Sequence, residues 1–132
     1  MNGLNGDTEI VNLYLQNNAI ETLDVSDYSD LGRLDISNND INYLANIKFP
    51  QQIRHIIITD SNLSTLDGIE SLSELKTLDI RNNILDEDDL KKLADLPKLQ
   101  LILAEGNPDI SQQMLDNLAA FNVKYLQSIK QL

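Results

Sequence analysis

The sequence predicts an α/β solenoid: short turns of chain piled on one another, with a parallel sheet along one side and helical returns along the other. Three observations point there. First, one phrase recurs five times, with apolar residues at positions 1, 4 and 6 and a polar residue at position 9. Its copies are Ile10, Leu13, Leu15, Asn18; Leu31, Leu34, Ile36, Asn39; Ile53, Ile56, Ile58, Ser61; Leu75, Leu78, Ile80, Asn83; and Leu99, Ile102, Ala104, Asn107. They begin 21, 22, 22 and 24 residues apart, a period that marks stacked units rather than one central core. Second, positions 4 and 6 alternate with position 5, as residues on opposite faces of a strand do. Third, each phrase is followed by apolar residues at intervals of about three, the spacing of 3₁₀ or α-helical turns.

The third repeat shows the expected geometry. Ile56 and Ile58 point to one face, and His55 and Ile57 to the other. Leu63, Leu66, Ile69 and Leu72 then bring the chain back beneath the strand. Ile41, Leu44 and Ile47 do so in the second repeat, and Ile20, Leu23, Val25 and Tyr28 in the first. Identical turns of chain stack with their strands parallel, about 4.8 Å apart. Bulkier returns on one side make the sheet concave.

Position 9 marks the corner where the strand ends and backbone groups point inward. An asparagine amide carries both donors and an acceptor, so Asn18, Asn39, Asn83 and Asn107 are expected to form a stacked row. Ser61 interrupts it with a shorter side chain, and one or two bonds should be lost there.

The last repeats are longer. Asp86 to Leu96 has a helix pattern, with acids in its first turn, Lys91 and Lys92 further on, and Pro97 ending it. A second helix is expected from about Ser111 to Phe121, with Met114, Leu115, Leu118 and Phe121 as its apolar stripe. Val123 lies 24 residues beyond Leu99, so Val123 to Leu126 reads as a sixth, capping strand. One domain is expected over 1–132: an N-terminal extension at 1–9, repeats at 10–110, and a C-terminal helix and capping strand at 111–132. The extension, with Leu4 as a plug, is thin cover for the first repeat. That repeat frays, receives more protein before it, or is a docking point.

The five phrases resemble the leucine-rich repeat superfamily, most closely its short 22-residue, intracellular, SDS22-like class. The resemblance covers residues 10 to about 110. It implies a right-handed β-α superhelix of five turns plus the capping strand. It also implies a non-catalytic scaffold that binds protein on its concave sheet. Fold alone does not name a partner.

On that concave face positions 3, 5 and 7 point outward. Most are polar, including Arg33, Asp35, His55, Asp79 and Arg81. Tyr14, Ile57, Leu101, Leu103 and Tyr125 break the rule, and exposed apolar residues often mark an interface. The competing reading is of scattered surface hydrophobes, with Leu101 and Leu103 covered by the C-terminal tail. The ten residues together form the expected partner-binding surface.

Composition narrows the rest. The 132 residues include 21 acidic and 10 basic ones, a net charge of −11. Such a surface repels phosphate backbones and anionic membranes and attracts a basic protein. There is no cysteine, which excludes disulfides and thiolate chemistry. Without an apolar leader or span, an intracellular location, cytoplasmic or nuclear, is expected. No catalytic, cofactor or metal site can be assembled. His55, the one histidine, lacks a spaced nucleophile and reads as a solvent-facing strand residue. Asp86, Glu87, Asp88 and Asp89 lack the alternating ligands and central glycine of a calcium loop. Asn62-Leu63-Ser64 fits a short glycosylation pattern that arises often by chance. An adaptor is therefore the leading reading. The alternatives are an acidic mimic that blocks a basic, nucleic-acid-binding surface, and a regulatory subunit of an enzyme.

Overall fold

The computed structural model describes residues 10–130. Each phrase forms one three-residue strand: β1 (Asn12–Tyr14), β3 (Arg33–Asp35), β5 (His55–Ile57), β6 (Thr77–Asp79) and β7 (Leu101–Leu103). They make one sheet in the order β1-β3-β5-β6-β7, every neighbour parallel. The register matches phrase to phrase, so Leu13, Leu34, Ile56, Leu78 and Ile102 form one row across the sheet. All five are buried, as are Leu15, Ile36, Ile58, Ile80 and Ala104 two positions later. The core runs the length of the stack as a continuous cluster.

The ladder continues past the strands into the corner. Position 6 donates its N–H to position 5 of the next repeat, from Leu15 to Asp35, Ile36 to Ile57, Ile58 to Asp79 and Ile80 to Leu103, at 2.8–2.9 Å. Position 8 donates to position 7 of the next repeat in the same way, beginning with Asn17 to Ser37 at 3.0 Å. Position 8 is also left-handed in all five repeats, with φ of 63° at Asn17, 55° at Asn38, 54° at Asp60, 59° at Asn82 and 82° at Gly106. Asn, Asp and Gly tolerate that conformation best, which accounts for the composition of this column. At Gly106 the space is closed as well, because a Cβ would lie 2.0 Å from Asn82 Oδ1.

Position 9 then ties adjacent repeats together. Asn83 Nδ2 donates to the carbonyls of Ile58, at 2.7 Å, and Ile80, at 3.1 Å, while its Oδ1 accepts from Ser61 N and Leu63 N, both at 3.0 Å. Asn39 joins Leu15 O, Ile36 O and Ile20 N, and Asn107 joins Ile80 O, Ala104 O and Leu85 N. Ser61 manages less: its hydroxyl donates to Thr59 O at 2.9 Å and accepts from Asn39 N at 3.4 Å. Asn18 is exposed and, among the described residues, bonds only the carbonyls of its own repeat, Leu15 and Gln16.

The returns lengthen along the chain. Leu23–Asp24 (β2) and Ile47–Lys48 (β4) pair in parallel as a two-stranded sheet, where sequence periodicity suggested helical turns. Single 3₁₀ turns occupy Leu44–Asn46 and Ile69–Ser71. The fourth return is a short helix, α1 (Glu87–Lys91), continued by a 3₁₀ turn at Lys92–Asp95. Its acidic start is a capping box: Asp86 accepts from Asp89 N at 3.0 Å, and Asp89 accepts from Asp86 N at 3.2 Å. Asp89 is buried, and it also accepts from Leu66 N, at 3.1 Å, in the repeat before. These carboxylates therefore serve the backbone and the stack.

The C-terminal end departs from the sequence reading. Helix α2 (Gln112–Phe121) is capped by Ser111 and buries Met114 and Leu118, but Phe121 is exposed rather than part of the buried stripe. The expected capping strand is a helix, α3 (Val123–Lys130). Its sixth phrase position would be Ser128, so a strand would lack the second inward apolar residue. Val123, Leu126 and Ile129 instead share one helical stripe, packed against α1, α2 and the 3₁₀ turn after α1. The outer edge of β7 is met by a side chain: Asn122, at φ 51° between the two helices, accepts from Ile102 N at 2.8 Å. The cover expected from Met1 to Glu9, with Leu4, lies outside the described residues. Leu13 and Leu15, at 8 % exposure, are slightly more open than Leu34 and Ile36 at 0 %.

Candidate functional surface

Register and pleat together decide what the sheet shows to solvent. Position 3 lines up as Asn12, Arg33, His55, Thr77 and Leu101, and position 5 as Tyr14, Asp35, Ile57, Asp79 and Leu103. Both rows lie on the face opposite the core. Tyr14 is 58 % exposed and Leu101 40 %, so the C-terminal helices leave Leu101 open. Arg33, Asp35, His55, Ile57, Asp79 and Leu103 are half-buried beside their cross-strand neighbours. Tyr125 does not join them. It lies on α3, half-buried and packed against the core, because the segment is helical.

A depression of about 520 Å³ opens where the strands end. Asp35, Ile57, Thr59, Asp60, Asp79 and Arg81 line it, with Gln16, Asn17, Ser37 and Asn38. Asp79 grips Arg81 with both oxygens, Nε to Oδ1 at 2.9 Å and Nη2 to Oδ2 at 2.7 Å. This pairing raises the guanidinium above its already high ordinary value. Asp35 Oδ1 accepts from Ser37 N at 3.0 Å.

The strand starts carry the opposite charge. Arg54 and Lys76, at position 2, stack next to Arg33: the N–H groups of Arg54 and His55 bond Gly32 O, and those of Lys76 and Thr77 bond Arg54 O. Arg54 Nη1 reaches back to within 4.0 Å of where a Cβ on Gly32 would begin. Sequence reasoning missed Arg54 and Lys76 because position 2 precedes the columns that face outward. The signal was the recurrence of basic residues at that position in consecutive repeats.

His55 lies among these cations, its Nδ1 2.8 Å from Thr77 Oγ1. Partial burial first, then the fields of Arg33, Lys76 and Arg54, hold its imidazole below the ordinary value of 6.5. Its folded-state value is thus the lower one, and the folded protein binds the proton less readily than the unfolded chain. The stability this contributes is complete above about 6.5 and is lost as pH falls through that value toward the folded one. An NMR titration of the His55 ring should give a midpoint below 6.5, rising toward it in an Arg54→Ser, Lys76→Ser double variant. An unmoved midpoint in that variant would contradict the role of the neighbouring charges.

Among the described residues no group of three or more His, Cys, Asp or Glu is placed to hold a metal ion. No described helix is long and apolar enough to cross a membrane.

No protein-family profile matches the chain, and no curated protein sequence does. Among solved structures, an internalin from Listeria monocytogenes, a leucine-rich repeat protein, superposes with a TM-score of 0.53 at 19 % identity. The match covers 79 % of this chain and 37 % of that one, so the chain spans well under half the length of the structure it resembles. At this identity the likeness concerns the fold.

Proposed function

We propose that this chain, which has the leucine-rich repeat fold, is a non-catalytic module that holds a protein partner on the exposed face of its sheet. We read that face as the concave wall of a five-turn, right-handed superhelix of the short, SDS22-like class. The carrying observation is the alignment of Tyr14, Ile57, Leu101 and Leu103 with Asp35, Asp79 and Arg81 on the side opposite the core. Apolar side chains among charged ones are what an interface centre with a polar rim requires. The carboxylate of Asp35 favours basic groups in the partner, while that of Asp79 is held by Arg81. The absence of cysteine from the sequence suits a cytoplasmic or nuclear location.

The test is affinity capture from the source cell with the wild-type chain and with Ile57→Asp, whose folding is checked by circular dichroism. Partners held by the wild-type chain should fall at least about tenfold with the variant, since a buried unpaired carboxylate at an interface centre costs more than the roughly 1.4 kcal/mol that a factor of ten represents. Equal recovery by the folded variant would move the interface off this face.

A further inference from the structure

We propose that the exposed sheet face is electrically polarised along the strands, and that it takes a polypeptide segment lying across them with acidic residues on one edge and basic residues on the other. This rests on the reading of that face as the binding surface and adds the chemistry and orientation of what binds.

The chain has 21 acidic residues to 10 basic ones, yet Arg33, Arg54 and Lys76 gather in three successive repeats at the strand starts. Among the described residues none of the three has an ion-pair partner within 4.0 Å, whereas Arg81, Lys91 and Lys98 each have one and Lys92 has two. Glu74, whose carboxyl feels Arg54 and Lys76, is hydrogen-bonded to Lys98 Nζ at 2.9 Å. Their mutual field is felt by His55 between them. Cations left together in a chain so rich in carboxylates form a site for carboxylates from outside.

The strand ends carry the reverse. Asp35 and Asp79 end β3 and β6, Asp60 and Glu105 follow β5 and β7, and the one cation among them, Arg81, is already committed to Asp79. Ile57 and Leu103 lie in the position 5 row with Asp35 and Asp79, and Asp60 and Glu105 lie past that row on the side away from the cations. Position 2 lies three residues from position 5, about 10 Å at the rise of a strand. That matches the 10–12 Å width of a single helix with its side chains. A segment set across the strands would rest apolar residues on Ile57 and Leu103, turn acidic residues to Arg33, Arg54 and Lys76, and turn basic ones to Asp35 and Asp60. Reversing it would put like charges together on both rims, so the polarity selects one orientation.

The experiment uses two alanine-based helical peptides of one composition. Both have a leucine stripe. In one, glutamates flank it on one side and lysines on the other; in the second the flanks are mixed. Each is titrated into the protein and followed through backbone amide shifts. The segregated peptide should bind at least about fivefold tighter at low salt, the gain that one or two exposed ion pairs supply. Its shifts should span both rims through Ile57, and the preference should vanish in the Arg54→Ser, Lys76→Ser variant. Equal binding of both peptides, centred on Ile57, would overturn the polarity and leave the binding face standing. Shifts on β2 and β4 instead would overturn both. Absence of binding by the segregated peptide would overturn the proposal, as would tighter binding of a single-stranded oligonucleotide at the same three cations.

Discussion

Asn83→Ala should lower unfolding stability by about 3–5 kcal/mol, against the roughly 5–15 kcal/mol that a domain has in all. The side chain closes five backbone bonds in two repeats, to Ile58, Ile80, Arg81, Ser61 and Leu63. Two of these are buried N–H groups with no other described acceptor, and each unpaired buried group costs about 1–3 kcal/mol. Water entering the space reduces the total. Asn18→Ala is the internal control. Asn18 is exposed and, among the described residues, bonds only Leu15 and Gln16, so its loss should cost under about 1 kcal/mol. Urea unfolding followed by circular dichroism measures both. Equal midpoint shifts for the two variants would show that the position 9 row does not tie repeats together.

Ile56→Ala should cost about 3–4 kcal/mol, within the range for deleting a large buried aliphatic side chain. Ile56 is fully buried on the central strand and lies in register between Leu34 and Leu78. In a stacked array each repeat is stabilised by its own packing and by its two interfaces, and this cavity opens against both neighbours. Ile84→Ala, on a side chain 50 % exposed, should change stability by less than about 0.5 kcal/mol. A small loss at Ile56 by the same unfolding measurement would mean that the row of inward residues is not the core.

Much of this was legible because one period sets every level of the structure. Leu34, Ile56 and Leu78 recur at the same phrase position, and a parallel stack converts that recurrence directly into a buried row. Three features were hidden. The left-handed position 8 was masked by its neighbour, since Asn17, Asn38 and Asn82 each precede an asparagine that draws attention as the corner residue. The C-terminal helix was masked by coincidence of spacing: Val123 and Leu126 fit both a phrase and a helical stripe, and the choice falls on Ser128 and Ile129. Tyr125 moved off the candidate surface for the same reason. The basic rim was hidden because Arg54 and Lys76 meet Arg33 only through the register of stacking. Sequence spacing locates residues within a repeat, and the pairing of repeats decides which of them share a surface.

Only repeats stacked in one parallel register bring the outward columns onto a single face. Interstrand nuclear Overhauser contacts between backbone amide and α protons of β1, β3, β5, β6 and β7 measure it directly. Parallel contacts should link Leu13 to Leu34, Leu34 to Ile56, Ile56 to Leu78 and Leu78 to Ile102. A register displaced by one residue would exchange inward and outward faces between neighbouring strands, and antiparallel contacts would break the aligned columns; either result contradicts that register.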